Sequence, residues 1–366
     1  MKRVILSGGG TGGHIYPAVA VAEALKRKWG EDVELLFVGA EGKMEMEKLP
    51  ALGYNIKGLP VAGLQRRLAL SNFALPFKVM ASIRRAKRII RDFNADIVVG
   101  FGGYASAPVL RAAQSLGVPT LIQEQNSYAG LTNKLLSKRA KRICVAYEGM
   151  ERFFPKERIV MTGNPLRGRF SAEGVDRGEA LAYYGFSGDM PVILVVGGSL
   201  GTRTHNEMMK AWILTLGGEA PVQVIWQTGK YYEREMQEFL KAHPTKNIWQ
   251  GAFIERMDYA YAAADVVLSR SGACTVSELC LVAKPTIFVP SPNVAEDHQT
   301  KNAMALVNKG AAEIVRDSEA VARGMQEAVA LAEDKERLTT LKTNIAKLAI
   351  DDSAERVVRE IEKLIK

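Results

Sequence analysis

The chain has little that invites oxidation, metal binding or membrane insertion. Its three cysteines, Cys144, Cys274 and Cys280, show no paired spacing. A disulfide framework and a cysteine metal site are therefore excluded, and reduced thiols are expected. The four histidines have no spacing that joins them into a metal site either. No uncharged apolar run approaches the ~18 residues needed to cross a bilayer. Met1, Lys2 and Arg3 resemble the start of a secretory leader, but the apolar run behind them stops at Leu6, so no signal peptide is expected. Low-complexity tracts and short repeats are missing as well.

Acid is lacking in one stretch. Residues 64–91 carry eight basic side chains (Arg66, Arg67, Lys78, Arg84, Arg85, Lys87, Arg88, Arg91) and no Asp or Glu. A second basic group follows at Lys134, Lys138, Arg139, Lys141 and Arg142, within a chain of net charge +9. That sign suits nucleic acid, anionic lipid or phosphorylated substrates. Read as a helix, 75–91 places Leu75, Val79, Ile83, Ala86 and Ile90 within about 80° of one another, a core stripe, with the cations opposite. The cationic face is either simply solvated or rests on an anionic surface. Leu64, Leu68, Leu70, Phe73 and Phe77 beside it favour anionic lipid. No nucleic-acid module or aromatic stacking platform is visible, so nucleic acid is not an expected partner.

At 366 residues the chain exceeds what one hydrophobic core usually serves, and two domains are expected. Short apolar runs alternate with helical patterns. Strands are read at 3–7, 33–38, 96–100, 119–122, 142–145 and 159–162, then at 192–196, 223–227, 247–249, 266–269 and 286–289. A helix is read from about Ile15 to Lys28. This is the pattern of parallel sheets covered on both faces, an α/β class. The turn Gly163-Asn164-Pro165 is the expected hinge. Helical periodicity runs from about Ser318 to the C-terminus, and its last part, 354–365, is long enough to reach back across that hinge.

Polar loops follow these strands. Gly8-Gly9-Gly10-Thr11-Gly12-Gly13-His14 leaves the first strand and opens a helix. Gly8, Gly10 and Gly13 match G-x-G-x-x-G, but Glu31, Asp32 and Glu34 lie before or at the start of the second strand, where a dinucleotide site wants its acid at the end. The extra glycines suit close approach of an oxygen-rich ligand. His14 is either a helix-end residue satisfied by backbone or a base: the positive end of the helix dipole disfavours imidazolium, and a neutral ring can accept a proton. Gly197-Gly198-Ser199-Leu200-Gly201 repeats the device in the second half. The run 100–108 is a third glycine loop, and Gln123-Glu124-Gln125-Asn126 follows the next strand; turn chemistry is the alternative for both. Arg270-Ser271-Gly272 leads into a helix near Ala273, whose N–H groups suit a diphosphate. Glu278 either caps that helix with Thr275 or accepts vicinal sugar hydroxyls. His298 is a ligand or a loop residue.

Taken in order, GGGTGGHIYPAVAVAEAL, GFGGYASAP, QEQNSYAGLTNKLL, TGNPLR, GGSLGTR, RSGACTVSE and EDHQTKNA resemble the MurG family over nearly the whole chain. These are N-acetylglucosaminyltransferases of peptidoglycan synthesis. The resemblance implies a GT-B architecture: two Rossmann-like, doubly wound domains facing an inter-domain cleft. One spans 1–163 with the helix near 348–366 and meets acceptor and membrane; the other, 164–347, binds UDP-GlcNAc. It implies transfer of GlcNAc to the C4 hydroxyl of undecaprenyl-diphospho-MurNAc-pentapeptide, with inversion and without metal or other cofactor, at the cytoplasmic membrane face. By the same resemblance Thr11, Gly12, Gly13 and Asn126 lie near the donor sugar, Arg167 and Ser199 at the diphosphate, and Ile254 by the uracil. Ala273, Cys274 and Thr275 sit at the phosphates, Val276 and Ser277 belong to the same substrate-binding run, Glu278 lies at the ribose and Gln299 near GlcNAc. His14 is the implied base, with Tyr104 and Glu124 near the acceptor; His14 and Glu124 both remain open for the proton. Gln123 stands where the family often has His, and Leu200 and Thr202 where it often has Gln and Ala. Rivals are a UDP-GlcNAc 2-epimerase, a transferase with another lipid acceptor, and a non-enzymatic nucleotide-binding module.

Overall fold

The computed structural model describes residues 1–61, 75–167, 174–198 and 200–365. The chain divides into two compact units, Met1–Gly168 with Ile350–Lys366, and Arg169–Ala349. The first contains β1 (Lys2–Ser7), α1 (Gly12–Trp29), β2 (Val33–Ala40), α2 (Glu45–Ala51), β3 (Ile56–Leu59), α3 (Leu75–Phe93), β4 (Ile97–Gly100), α4 (Ser106–Ser115), β5 (Thr120–Glu124), α5 (Leu131–Ser137), β6 (Arg142–Val145) and β7 (Ile159–Met161). Its sheet among the described residues is parallel, in the order β3-β2-β1-β4-β5-β6-β7. The strands are apolar and buried because helices cover both faces.

The second unit contains α6 (Arg177–Tyr183), β8 (Val192–Val196), α7 (Arg203–Ile213), β9 (Glu219–Gln227), α8 (Glu233–Ala242), β10 (Lys246–Gly251), α9 (Met257–Ala263), β11 (Val266–Ser269), α10 (Ala273–Leu281), β12 (Thr286–Phe288), α11 (His298–Val307), β13 (Glu313–Ile314), α12 (Asp317–Glu333) and α13 (Lys335–Ala346). Its parallel order is β10-β9-β8-β11-β12-β13. The last helix, α14 (Ser353–Glu362), belongs to the first unit and packs on α1, with Val357, Val358 and Ile361 in the same core as Val19 and Leu25.

Both sheets reverse their strand order beside their first strand, and such switch points hold ligands in doubly wound folds. Ser7 pairs with Gly100, and Val196 with Ser269, so the loops after β1 and β4, and those after β8 and β11, leave their sheets level.

The doubly wound reading is borne out, with differences in detail. Helix α1 starts at Gly12 rather than near Ile15, because two poor helix formers hid its first turn. Strands β3 and β13 were not foreseen; the first is four residues interrupted by Gly58, the second only two. β5 runs through Gln123 and Glu124, so these polar residues lie within the strand. The C-terminal periodicity is three helices, interrupted where Asp334 accepts the Arg337 N–H at 3.0 Å and again before Ser353. Ala86 and Ile90 are core, but Val79 is 45 % exposed: Lys78 to Ala81 lie on the surface, and burial among the described side chains of α3 starts at Ser82, which donates to the Pro60 carbonyl. Arg66, Arg67, Leu64, Leu68, Leu70 and Phe73, and the side chain of Phe77, lie outside the described residues.

The expected hinge falls inside the first unit. Asn164 donates to the Gln125 carbonyl at 3.0 Å, and Gly163 (φ +77°) lies under the turn into α14, where a β-carbon would stand 3.0 Å from Ile350 Cβ and 2.5 Å from Ser353 Oγ. Gly163→Ala should therefore cost about 2–3 kcal/mol, through the left-handed backbone and the clash together. Gly53→Ala (φ +79°, with nothing within 4 Å) should cost only about 1 kcal/mol. Chemical denaturation of the two variants checks the difference.

Candidate active site

In the first unit, most of the glycine loop's space is taken by the chain itself. A β-carbon on Gly8 would meet Phe101 Cβ at 3.0 Å, one on Gly12 would meet the Tyr16 ring at 3.0 Å, and one on Gly9 would strike the carboxylate of Glu45. These three glycines thus serve internal packing; Gly10, with φ +84° and open space around it, serves backbone conformation. From the neighbouring loop, Gly103 (φ +81°) lies so close that its β-carbon would overlap the Gly9 carbonyl.

That carbonyl fixes His14. The ring's Nδ1 lies 3.0 Å from Gly9 O and 3.2 Å from Thr11 Oγ1. A carbonyl only accepts, so Nδ1 carries the proton and a neutral ring has its lone pair on Nε2. The Nε2 edge runs along Gly102 (φ +91°), where a β-carbon would stand 3.1 Å from Nε2. Thr11 and Gly13 are exposed beside it, Gly12 is half-buried, and Tyr104 is 57 % exposed on the loop after β4.

Glu124 is a buried hub. Its Oε1 accepts from the N–H of Asn126 at 3.1 Å and from Asn126 Nδ2 at 3.3 Å; its Oε2 accepts from the Gly130 N–H at 3.0 Å and from Asn133 Nδ2 at 2.8 Å. Four donors on two oxygens suit a carboxylate that holds the loop between β5 and α5. Gln123, at the position where histidine is frequent in the resembling family, donates to Asn164 Oδ1 at 3.2 Å, while Gln125 donates to the Phe101 carbonyl at 2.9 Å. Both amides are buried braces. Arg167 pairs with Glu23 of α1 at 3.3 Å.

In the second unit, Gly201 and Gly229 bring the loops after β8 and β9 into backbone contact. Ser199 lies outside the described residues. Helix α10 begins at Ala273 after the N-cap Gly272, with no side-chain cap and no acid in its first turn, a surface suited to an anion at Ala273, Cys274 and Thr275. The capping alternative for Glu278 fails, since the residue sits beyond the first turn. Its carboxyl is half-buried, accepts from the Tyr261 hydroxyl at 3.4 Å, and is pushed up by burial to about 7. Burial, then the Glu278 charge, raises the Cys274 thiol to about 12, so it stays protonated. Val276 is buried and Ser277 half-buried in the same helix.

Arg270 supports this turn from beneath, donating to Asp317 at 2.6 Å and to the Val289 carbonyl at 2.8 Å. Ser271 Oγ donates to the Gln299 carbonyl at 2.9 Å, and Gln299 Oε1 accepts the Ser291 N–H at 2.9 Å, tying the two loops together. Before α11, Glu296 and Asp297 both adopt φ +52°, a strained conformation for non-glycine residues, and His298 Nε2 lies 3.7 Å from Glu296. Ile254 is only 2 % exposed, which leaves little of its side chain for a base to pack on. Among the described residues, no three His, Cys, Asp or Glu gather to hold a metal ion.

Comparison with known proteins decides the family. Residues 4–145 match the glycosyltransferase family 28 N-terminal domain, and residues 192–357 match its C-terminal domain. The chain belongs to the MurG family. It is 54 % identical over 363 residues (99 % of this chain, 98 % of the relative) to the UDP-N-acetylglucosamine--N-acetylmuramyl-(pentapeptide) pyrophosphoryl-undecaprenol N-acetylglucosamine transferase of Parabacteroides distasonis. It is 52 % identical to the protein so named in Bacteroides fragilis, with 99 % and 95 % coverage. The crystal structure of Acinetobacter baumannii MurG superposes with TM-score 0.79 at 30 % identity, covering 99 % of this chain and all of that one. A UDP-N-acetylglucosamine 2-epimerase matches at TM-score 0.63 and 15 % identity, a likeness of fold alone.

Glu45, Tyr261 and His205 escaped the sequence reading. Glu45 sits in a charged run that reads as surface. A sharper signal was available for His205, three residues after Thr202. Its Nδ1 lies 2.6 Å from Thr202 Oγ1, it is 1 % exposed, and burial followed by the nearby Arg270 charge lowers it to about 3. The native ring therefore stays neutral where the unfolded one, near 6.5, takes a proton. Stability should fall as pH drops below 6.5, by about 1.4 kcal/mol per pH unit from this group. His205→Leu should remove about 2–3 kcal/mol of the loss between pH 7 and pH 4.5, as measured by urea denaturation at both pH values.

Proposed function

We propose that the chain moves N-acetylglucosamine from UDP-N-acetylglucosamine to the C4 hydroxyl of MurNAc-pentapeptide carried on undecaprenyl diphosphate, with inversion at the anomeric carbon. Full-length identity above 50 % to transferases of that name carries this reading. His14 supports the chemistry: its Nδ1 proton is committed to Gly9, so Nε2 is the atom that takes the acceptor hydroxyl's proton as the oxygen attacks C1. UDP leaves with the sugar's bonding pair, and its new charge suits the N-terminus of α10. Glu278 accepts the ribose hydroxyls. The four donors on Glu124 favour a positioning part for that residue, shaping the loop that carries Asn126.

Incubation with radiolabelled UDP-N-acetylglucosamine and the lipid-linked acceptor should carry label into the lipid phase. His14→Ala should lower kcat by about 10²–10⁴-fold while UDP affinity stays near normal. Near-normal turnover would remove the base assignment, and label remaining with a free sugar nucleotide would favour an isomerase.

The acceptor's lipid places the reaction at a membrane, and no described helix is long and apolar enough to cross one. The reading is of a peripheral enzyme at the cytoplasmic face, held through α3. Lys78, Arg84, Arg88 and Arg91 are exposed there beside Val79 and Met80, while Arg85 is partly neutralised by Glu41 at 2.7 Å. Replacing Arg84, Arg85 and Arg88 by Ser should weaken binding to anionic vesicles by about 10-fold or more, at about 1 kcal/mol per cation. Unchanged, salt-insensitive binding would sink the surface assignment.

A further inference from the structure

Glu45 has no exposed surface, and its two oxygens divide their work. Oε1 accepts the Ala40 N–H at the end of β2, and Oε2 accepts the Gly10 N–H, both at 3.0 Å. The Gly10 N–H belongs to the same peptide group as the Gly9 carbonyl, and that carbonyl receives the His14 Nδ1 proton at 3.0 Å. Carboxylate, peptide and imidazole thus form one line of hydrogen bonds. A negative charge on the N–H side of a peptide polarises it and makes its oxygen the stronger acceptor. The geometry also explains Gly9, whose α-carbon lies against the Glu45 carboxylate.

We propose that Glu45 is a positioning residue that acts on His14 through the Gly9–Gly10 peptide. It does for this histidine what a directly bonded carboxylate does in a serine-hydrolase triad: it holds the proton on Nδ1, keeps the lone pair on Nε2, and favours the imidazolium formed as the acceptor hydroxyl is deprotonated. No bond is made or broken at Glu45; the single proton moves from hydroxyl to Nε2. The inference rests on His14 being the base, and its tests separate the two claims.

Glu45→Gln preserves size, but an amide can accept only one of the two N–H bonds and turns an NH₂ toward the other. It should lower kcat about 10- to 100-fold, leave donor KM within about twofold, and add nothing further in a His14→Ala background, the non-additivity of residues that act as one unit. Full wild-type turnover in Glu45→Gln, or an equal loss with and without His14, would overturn the relay. ¹⁵N spectra of histidine-labelled wild-type protein supply a readout independent of activity and of any variant's folding. They should show His14 protonated at Nδ1, with that signature weakened in Glu45→Gln; an Nε2-protonated ring in the wild type would overturn the proposal. If His14→Ala retains turnover, the base assignment fails while the spectra still decide whether Glu45 sets the tautomer.

Discussion

The close approach of Gly103 to the Gly9 carbonyl is the constraint on which the first unit's site depends. Two loops leave adjacent parallel strands level with each other, and any side chain between them would force them apart. Removing the β-carbon at 103 lets the second loop rest on the peptide that orients His14. Gly102 then passes along the ring's other edge. The imidazole is held by main chain on both sides, which fixes its tautomer without the entropy cost of ordering further side chains. Glu45, Gly9 and Gly103 are one solution to one packing problem.

The second unit solves a different problem, neutralising charge in a buried turn. Its switch-point loop carries Arg270, and a buried guanidinium is destabilising unless its hydrogen bonds are met. Asp317 and the Val289 carbonyl both accept from one terminal nitrogen of Arg270, while its buried Nε has no hydrogen-bond partner among the described residues, and the cation ties β11, β12 and α12 together beneath the turn. That same charge helps to keep His205 neutral. The N-terminus of α10 thus stands on a braced base. The helix presents dipole and backbone without a competing acid, and Glu278 stands one turn further along.

The doubly wound class was legible because each central strand is a continuous apolar run ending in glycine or polar residues. Val4, Ile5 and Leu6, or Val266, Val267 and Leu268, read as nothing else. His14, Glu278 and the α10 start stood out by their place just past such runs. Glu45 was not. Its meaning depends on a fold that carries the end of β2 and the glycine loop to one point, and its neighbours Lys43, Glu47 and Lys48 disguise it as surface. The loop glycines misled in the opposite sense. Open space for a ligand and space filled by Phe101, Tyr16 or Glu45 look identical in sequence. Val79 misled because periodicity reports which face a residue shares, not how far along the helix packing extends.

The β5 end shows how a densely bonded carboxylate shapes a loop. A carboxylate with four hydrogen-bond donors is fixed in place, because moving it would break at least one of those bonds and leave a buried donor unmet. Its neighbour Gln123 cannot titrate, and is tied to Asn164 beneath the hinge sequence. The strand end that looked most like a polar catalytic cluster is therefore a rigid brace. It keeps Asn126 and the loop before α5 in place, while the imidazole of His14 lies across the switch point at the start of α1. The two side chains are fixed by different means: Glu124 by four donors from the loop and helix that follow it, and the His14 ring by the Gly9 carbonyl at Nδ1.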